Sequence, residues 1–457
     1  MQRLTVGISI AGLLLLAASR IEADERQITK GAAHNHALDN NDNFSPDDKF
    51  LVYAISGPGG LADARLVAKV EISTGKVTPL YRPENPNQFG PGVMAAGFAH
   101  DRNEVIFIHG PMNPTGPENK YEKHARVGVI ANGDGAGTVK FLDARDIEAP
   151  YTVGALRGGT HRHEFSGDGQ WVGFTYNDAV MRAHGLKTGK NLDLRTIGVT
   201  KLGQPVTVPK TPQFAERNEG FSVVVVAVTP DPKPGSDEIS NAAGDSWVGQ
   251  NGYVRADGGR QIARAFIGTT RDKNNQPLDE LYIVDIPDDI TAPGPLGPLQ
   301  GTDTNPPMPP AGTSQRRLTH TENSAHPGCQ GIARSSAKGD QISFKMKDAK
   351  GQSQIFIIPT IGGTPKQATS IEGGVTSDAR FNPSGKVIAC VAGNKILITN
   401  IDPGPQFGKT TVLNDHTSAP FGLVWSHDGK TLAYNRNVET DGKQIGQIFV
   451  ADYKDGK

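Results

Sequence analysis

The chain has 457 residues, of which 36% are hydrophobic, 55 are glycine and 32 are proline, and its formal net charge is −1. A near-neutral charge leaves no basic surplus to hold a nucleic-acid backbone, so we expect no nucleic-acid partner. The high glycine and proline content is typical of a turn-rich all-β protein.

The N-terminal residues have the pattern of an export signal. Arg3 supplies the positive charge, and an apolar run of about 15 residues from Leu4 to Ala18 has the length of a signal-peptide core and is short for a membrane span. We expect residues 1–23 to be a signal peptide and residues 24–457 to be one periplasmic or secreted domain. An uncleaved N-terminal anchor is the alternative. After signal removal we expect no membrane span, because no other apolar run is long enough.

A short phrase recurs along the chain at a spacing of about 40–60 residues. It consists of an aromatic residue, Ser or Asn, two or three turn-forming residues, and then a hydrophobic run. The clear copies are Phe44–Tyr53, Phe165–Phe174, Phe381–Ala389 and Trp425–Tyr434, and weaker copies begin at Phe98 and Ser335. A tight turn that feeds a strand, repeated in this way, is typical of a β-propeller. We count seven blades, or six if the fourth region is an insertion.

Alternating apolar residues predict further strands in each blade. In blade three we expect strands over 171–176, 179–185 and 192–197. In blade four we expect them over 221–229, 263–269 and 280–286. Two long loops, residues 230–257 and the proline-rich residues 288–313, are expected to decorate blade four.

A second phrase predicts how the propeller closes. Arg26-Gln27-Ile28-Thr29 matches Arg317-Leu318-Thr319 and Lys366-Gln367-Ala368-Thr369, which lie on expected outer strands. The last blade has only about three strands of its own, so the N-terminal copy is expected to supply the fourth and to leave no open edge. A disordered leader is the alternative.

Histidines are the main chemical signal of the sequence. Several precede copies of the turn phrase, where loops of a propeller approach the central channel. Neutral imidazole is a good ligand for Mn, Zn, Fe or Ni, and a Gln or Asp oxygen could complete such a site. Hydrogen bonding to loop backbone around a wet channel is the alternative. The predicted metal ligands are His34, His36, His161, His163, His326 and Gln330.

Other residues are candidates for ligand binding. Asp237, Glu238 and Trp247 lie in the long loop of blade four and would suit a polar, sugar-like ligand. Arg157 or Arg162 could pair with a substrate carboxylate. The run 404–410 imitates a phosphate loop but lacks the first glycine at the required place, so we expect no nucleotide. The two cysteines, Cys329 and Cys390, either pair or remain free thiols.

The turn phrases resemble the repeat of TolB-type propellers. The strings His34–Asp48, Gly159–Ser166 and Gly235–Ile239 are similar to the YidR-like family of uncharacterised exported bacterial proteins, which implies fold and export but no reaction. A more distant resemblance is to oligogalacturonate lyase, a seven-bladed propeller that holds manganese with three His and one Gln. That resemblance implies His161, His163, His326 and Gln330 as the nearest equivalents.

Two functions follow as expectations. The first is an exported, monomeric binding protein for a protein or glycan partner. The second is a metal-dependent lyase that acts on oligouronates, in which a base removes a proton and β-elimination follows.

Overall fold

A computed structural model gives the structure of the chain and describes residues 23–56 and 64–454. Apart from Ala23, the predicted signal peptide lies outside the described residues. Within the described ranges we find no helix with the length and apolar character needed to cross a bilayer.

The described residues form seven four-stranded antiparallel sheets, and each sheet is one blade. Blades one to three, from innermost to outermost strand, consist of β2 (Asn35–Ala37), β3 (Phe50–Ser56), β4 (Ala64–Glu71) and β5 (Val77–Tyr81); β6 (Val93–Phe98), β7 (Glu104–His109), β8 (Val127–Asn132) and β9 (Val139–Phe141); and β10 (Gly158–Phe165), β11 (Trp171–Asp178), β12 (Arg195–Leu202) and β13 (Gly220–Val224). Short 3-10 helices lie at Pro117–Asn119 and Lys123–Ala125.

Blade four differs from the others because a small ribbon is inserted after its inner strand. Blades four to six consist of β14 (Asn241–Trp247), β17 (Ala263–Arg271), β18 (Pro277–Asp285) and β19 (Ser314–Arg317); β20 (Cys329–Ser335), β21 (Gln341–Lys347), β22 (Ser353–Pro359) and β23 (Lys366–Gln367); and β24 (Arg380–Phe381), β25 (Val387–Ala392), β26 (Lys395–Asn400) and β27 (Thr410–Asp415). The ribbon pairs β15 (Tyr253–Val254) with β16 (Arg260–Gln261).

The seventh blade joins the two ends of the described chain, as the second phrase predicts. It consists of β28 (Phe421–Trp425), β29 (Thr431–Thr440), β30 (Lys443–Asp452) and, as its outer strand, β1 (Glu25–Gln27). Ile28 and Leu51 share one apolar core with Val424 and Ile448, so blades seven and one pack face to face. The wheel of seven blades is therefore closed.

The second phrase has the same hydrogen bonds in three blades. In blade seven the Thr29 hydroxyl donates to Gln447 Oε1 (2.8 Å) and accepts from Ile448 N (2.9 Å). Thr369 does the same with Gln354 Oε1 (2.8 Å) and Ile355 N (2.9 Å) in blade five. Thr319 repeats the pattern in blade four with the buried Glu280 and Leu281 N. The threonine of this phrase thus holds three outer strands in place with the same hydrogen bonds.

The turn phrase is held by its serine. The Ser45 hydroxyl donates to Asp47 Oδ1 (2.7 Å) and accepts from Phe50 N (3.0 Å). Ser166 and Ser426 make the same pair of bonds in blades three and seven. A hydroxyl that bonds both the loop and the start of the next strand explains why this short phrase can be read from sequence.

Two regions differ from the prediction. Residues 179–185, expected as a strand, lie in helix α1 (Ala179–Thr188), because Asp178 caps its N-terminus by accepting from Met181 N and Gly189 ends it at φ 69°. Residues 220–224 are the outer strand of blade three, and the inner strand of blade four is β14, inside the predicted loop 230–257. That strand faces the channel, so it lacks the apolar alternation on which the prediction relied.

The remaining predictions about loops and thiols have simple outcomes. Residues 288–313 contain no strand, although Pro293 and Pro310 form an isolated antiparallel bridge. Cys329 and Cys390 are both buried free thiols, and burial raises the pKa of Cys390 to about 12.

Inner strands share a bulge that shapes the channel. In five blades the register of the inner strand against the next strand breaks after its first pairs, and one residue there has a left-handed backbone. These residues are Ala95 (φ 54°), Arg162 (φ 52°), Gly244 (φ 64°), Gly331 (φ 83°) and Gly422 (φ 63°). Such bulges redirect the side chains that follow them.

Candidate functional site

A polar pocket of about 180 Å³ lies on the propeller axis, where the inner strands run into their turn phrases. We call it the axial pocket. Every blade contributes to its wall, and the contributing residues include Asn41 and Asp42, His100, Glu164, Ser246 and Trp247, Arg334, Arg380, and Trp425 and His427. Because the inner strands of all seven blades end here, residues far apart in the chain become neighbours.

The guanidinium groups of Arg334 and Arg380 line this pocket and that of Arg162 adjoins it through Asn41, and none of the three forms an ion pair within the described residues. Arg162 Nη2 and Arg380 Nη1 each donate to Asn41 Oδ1, both at 3.3 Å. Arg334 is 6% exposed, and its Nε has no hydrogen-bond partner within the described residues. None of the three lies within 4.0 Å of a carboxylate oxygen of the described chain.

The pKa values of these arginines reflect burial and mutual repulsion. Burial and the neighbouring Arg162 lower the pKa of Arg380 to about 10. Burial, with Arg380 and Arg162 adding to it, lowers the pKa of Arg334 well below its usual range. Burying like charges together costs free energy that an anion placed between them would offset.

The nearby carboxylates are already engaged. Glu164 accepts from Asn41 Nδ2 (2.7 Å) and from Trp247 N (3.3 Å), and it pairs with Arg264 Nη1 (3.1 Å). Arg264 also pairs with Asp245. Although burial acts to raise it, the pKa of Glu164 is lowered because Arg264 and Arg334 stabilise the anion. Glu164 and Asp245 therefore form their direct ion pairs with Arg264, whereas Arg162, Arg334 and Arg380 interact with Glu164 only at longer range.

Two histidines face each other on another side of the axial pocket. The rings of His100 and His427 are 5.5 Å apart and nearly perpendicular. His427 Nδ1 lies 2.7 Å from Asp48 Oδ1, which also accepts from His427 N, and His100 Nε2 lies 3.6 Å from Asp42 Oδ1. Burial raises the pKa of Asp42. The carboxylate of Asp48 orients the ring of His427 so that Nε2 is the nitrogen available to accept a proton.

The predicted ligand-binding residues have different fates. Arg162 and Trp247 belong to this region, and the Trp247 indole donates to Glu164 O (2.9 Å). Arg157, by contrast, is 1% exposed, pairs with Asp178 (2.9 Å) and donates to Thr302 O (2.6 Å), so it anchors the proline-rich loop instead of a ligand.

Asp237 and Glu238 lie away from the axial pocket. Asp237 pairs with Arg317 (3.0 Å) on the outer strand of blade four. Glu238 pairs with Lys233 (3.1 Å) within its own loop. Both carboxylates are thus used in surface ion pairs, because the loop folds against its own blade.

The six predicted metal ligands are not brought to one point. The described residues contain no group of three or more His, Cys, Asp or Glu side chains arranged to hold a metal ion. His34 is exposed, and His326 lies beside Gly351 in the loop of blade five. Gln330 accepts from the Ser353 hydroxyl (3.3 Å).

Three of the six predicted metal ligands are buried histidines, and their rings contact different neighbours. His36 packs on Tyr53 with 5.4 Å between ring centroids. His161 Nδ1 lies 3.4 Å from Arg126 Nη1. His163 is fully buried 6.0 Å from the Phe174 ring, and burial lowers its pKa to about 3. That these residues bind a metal stays a prediction, and no ligand geometry follows from their positions.

Sequence reasoning missed most of the residues that form the axial pocket. Glu164, Arg334 and Arg380 each come directly before a turn phrase, whereas the prediction gave most weight to histidines and did not name these three residues. The signal was present: a charged residue immediately before a phrase that begins a buried strand is unusual unless it faces a wet channel.

Comparisons with known proteins agree with this fold. Residues 92–215 match the family model described as "Protein of unknown function (DUF3748)". The chain is 37% identical to "Uncharacterized protein YidR" of Escherichia coli (strain K12) over 419 residues, which cover 90% of this chain and 94% of the relative.

Solved structures resemble the chain at the level of the fold alone. A structure of oligogalacturonate lyase in complex with manganese matches with a TM-score of 0.53 and 10% identity over 95% of this chain and 97% of its own. TolB from Acinetobacter baumannii matches with a TM-score of 0.36 and 13% identity over 91% and 85%. Because the chain is 37% identical to YidR over 90% of its length, it belongs to the YidR family.

Proposed function

We propose that the protein binds a small carboxylate-bearing ligand, or the acidic end of a glycan, in the axial pocket. The observation that carries the proposal is the clustering of Arg162, Arg334 and Arg380, none of which forms a direct ion pair with a carboxylate of the described residues. Guanidinium groups bind carboxylates in a planar, bidentate manner, and such a ligand would supply the missing anion.

The rest of the pocket suits a sugar acid. Trp247 and Trp425 line the pocket, and although each is only 8% exposed, the part of the indole that is open can contact the apolar side of a sugar ring. Asn41 and Ser246 add amide and hydroxyl groups that can bond sugar hydroxyls. The fold-level likeness to oligogalacturonate lyase makes uronates the first ligands to test.

Titration calorimetry with a panel of uronates tests the proposal. Galacturonate and glucuronate are expected to bind, while galactose and glucose are not. Arg334→Gln and Arg380→Gln should each weaken binding at least about tenfold, since each removes a charge-assisted hydrogen bond. Arg255→Gln, an exposed arginine paired with Asp257, is the matched control and should bind normally.

The same two variants, Arg334→Gln and Arg380→Gln, should also have a characteristic effect on thermal stability. Without ligand, removing a buried guanidinium that has no direct ion pair should leave the thermal midpoint unchanged or raise it. Equal binding of acidic and neutral sugars, or a large loss of stability in both variants without loss of affinity, would contradict the proposed role.

We also propose that the protein acts after export, in the periplasm or outside the cell. The charged start and apolar run of residues 1–18 support this. Fractionation of cells that express the full chain, with N-terminal sequencing of the product, checks it. A product that retains Met1 and is found in the cytoplasm would contradict export.

A second candidate function is elimination catalysed in the same pocket, and the pairing of His427 with Asp48 favours it. His427 Nε2 would take the proton from the carbon next to the bound carboxylate. The electron pair left behind forms a carbon–carbon double bond as the adjacent C–O bond breaks, and the leaving oxygen takes a proton from His100. The arginines would stabilise the charge that develops on the carboxylate.

Ultraviolet absorbance of the unsaturated product tests this candidate. Oligouronates are incubated with the protein, with and without added Mn²⁺, because the structural neighbour is solved with manganese. A rising signal that His427→Gln abolishes and that Asp48→Asn reduces would support catalysis. A flat trace across the panel under both conditions would contradict it and leave the binding function intact.

A further inference from the structure

We infer that the ligand of the axial pocket is the end of a longer linear acidic glycan, and that a groove between blades four and five binds the units that follow. This inference rests on the proposed function, because it extends the same site. It concerns residues that line a separate surface of the wheel.

The groove is formed by an element that the other blades lack. Its volume is about 570 Å³. One wall is the ribbon of β15 and β16, the only two-stranded sheet in the described chain. The other wall is the turn phrase of blade five, Ala337–Asp340, with Thr360 and Ile361. An insertion at the side of a binding pocket is where recognition of a longer ligand is expected.

The groove adjoins the axial pocket. Gln250 and Ala337 line both, and Gln250 N donates to Ala337 O (3.0 Å). This hydrogen bond ties the base of the ribbon to blade five at the point where pocket and groove meet. A chain that leaves the pocket on this side therefore runs into the groove.

The charges of the groove complement a polyanion. Arg260 and Lys338 are exposed on opposite walls, and neither forms an ion pair with a described residue. Arg260 Nη1 donates to Asn251 O (3.2 Å), which fixes its position on the ribbon. The carboxylate of the groove, Asp340, accepts from the Ser336 hydroxyl and so is held within its own turn. Repeated carboxylates along a glycan would meet the arginines of the pocket first and these two cations next.

The groove also offers apolar surface. Val254 is 52% exposed and Ile361 is 64% exposed, and they line facing walls. Large hydrophobic side chains that are exposed beside cations favour a ligand with both apolar faces and anionic groups. Pyranose rings that carry carboxylates have this character, whereas a nucleic acid would require a much larger basic surface.

Calorimetry with ligands of different length tests the inference. For the uronate that binds, the monomer is compared with its linear tetramer at one ionic strength. The tetramer is expected to bind about tenfold more tightly than the monomer, since exposed ion pairs contribute modestly and several contacts add. In Arg260→Gln/Lys338→Gln this ratio should fall below about threefold, while the monomer affinity stays unchanged.

The control has the same change in net charge at a different place. Lys210→Gln/Lys386→Gln removes two exposed lysines that do not line the pocket or the groove. It should keep the native ratio of tetramer to monomer affinity. Thermal unfolding of both double variants shows whether the fold is intact.

The outcomes separate the two proposals. Equal affinity for monomer and tetramer in the native protein, or a ratio that Arg260→Gln/Lys338→Gln leaves unchanged, overturns the groove alone. Absence of binding by every monomer and tetramer of the panel overturns the proposed ligand class, and the groove with it.

Discussion

Arg162 occupies a backbone position that three other blades give to glycine. Its φ of 52° matches Gly244, Gly331 and Gly422 at the equivalent bulges. A left-handed backbone costs a residue with a Cβ about 1 kcal/mol. Such strain is often found at functional sites, and here the side chain reaches Asn41 beside the other two arginines.

The variant Arg162→Gly tests whether the left-handed backbone of Arg162 is tolerated because its side chain contributes to ligand binding. We expect Arg162→Gly to retain the unfolding free energy within about 1 kcal/mol, because relief of strain offsets the lost contact, and to lose uronate affinity. The converse change, Gly244→Ala, should destabilise by more than about 2 kcal/mol. Its Cβ would lie 2.3 Å from the backbone oxygen of Gly331, which cannot rotate away. Urea denaturation measures both, and a strongly destabilised Arg162→Gly would contradict the argument.

Asp39 makes the stability depend on pH. Burial raises its pKa to about 6, and Oδ1 has no hydrogen-bond partner in the described chain. The folded protein therefore holds this proton more tightly than the unfolded chain. The free energy of unfolding therefore falls as the pH rises from about 4 to about 6, because the buried carboxyl ionises in this range.

Asp39→Asn removes this dependence. The variant should be more stable than the native protein by on the order of 3 kcal/mol at pH 7.5 and by on the order of 1 kcal/mol at pH 4.5. Denaturation by urea at the two pH values checks this. A difference that is the same at both would show that Asp39 does not titrate in this range.

At the level of elements, one threonine phrase organises three outer strands. Thr29, Thr319 and Thr369 each satisfy a buried Gln or Glu and the next backbone N–H. A buried polar group left without a partner costs about 1–3 kcal/mol. The closing strand is thus held by the same bonds as an ordinary outer strand.

Thr29→Val and Thr369→Val should therefore destabilise the protein by similar amounts, about 1–3 kcal/mol each. Thr74→Val, at an exposed turn where the hydroxyl bonds Glu71, is the control and should have little effect. Urea denaturation gives the three values. If Thr29→Val behaves like the control, the N-terminal strand does not hold its place in solution.

The local phrases show what sequence could predict. The serine turns and the closing strand were predictable because each depends on hydrogen bonds within a few residues, or on a phrase that occurs three times. Helix α1 was missed since Ala179–Gly185 alternates like a strand, although the Asp178 cap and Gly189 mark a helix. Strand β14 was missed because its surroundings are a wet channel.

The candidate site was less predictable than the fold. Its residues are assembled from seven blades, and only Arg162 and Trp247 among the predicted ligand-binding residues lie in this region. Side chains alternate along an inner strand, so His161 and His163 pack beside Arg126 and Phe174 while Glu164 lines the pocket. Single-sequence patterns do not show which strand face meets the axis.

For the whole molecule, closure depends on the pairing of β1 with β30. Without residues 23–31, Ile28 would leave the core between blades seven and one, and the edge of Lys443–Asp452 would be open. Exposed strand edges promote association between chains.

A chain that begins at residue 32 should therefore lose at least about 3 kcal/mol of unfolding free energy and self-associate. A chain that begins at Ala23 is the control. Urea denaturation and light scattering measure the two effects. A monomeric shortened chain of native stability would show that the wheel does not need this strand.

The pairing of the two ends also sets an order of events during synthesis. Thr29 and Gln447, which bond each other in the closed blade, are 418 residues apart. At about 5–20 residues per second, a ribosome needs on the order of 20–80 s between them. During that interval β1 has no partner strand to pair with, and the propeller stays open between blades seven and one. The pairing of β1 with β30 is a late step that follows translation of the last blade. A chain that must pass through a narrow opening as an extended polypeptide has that time in which to do so.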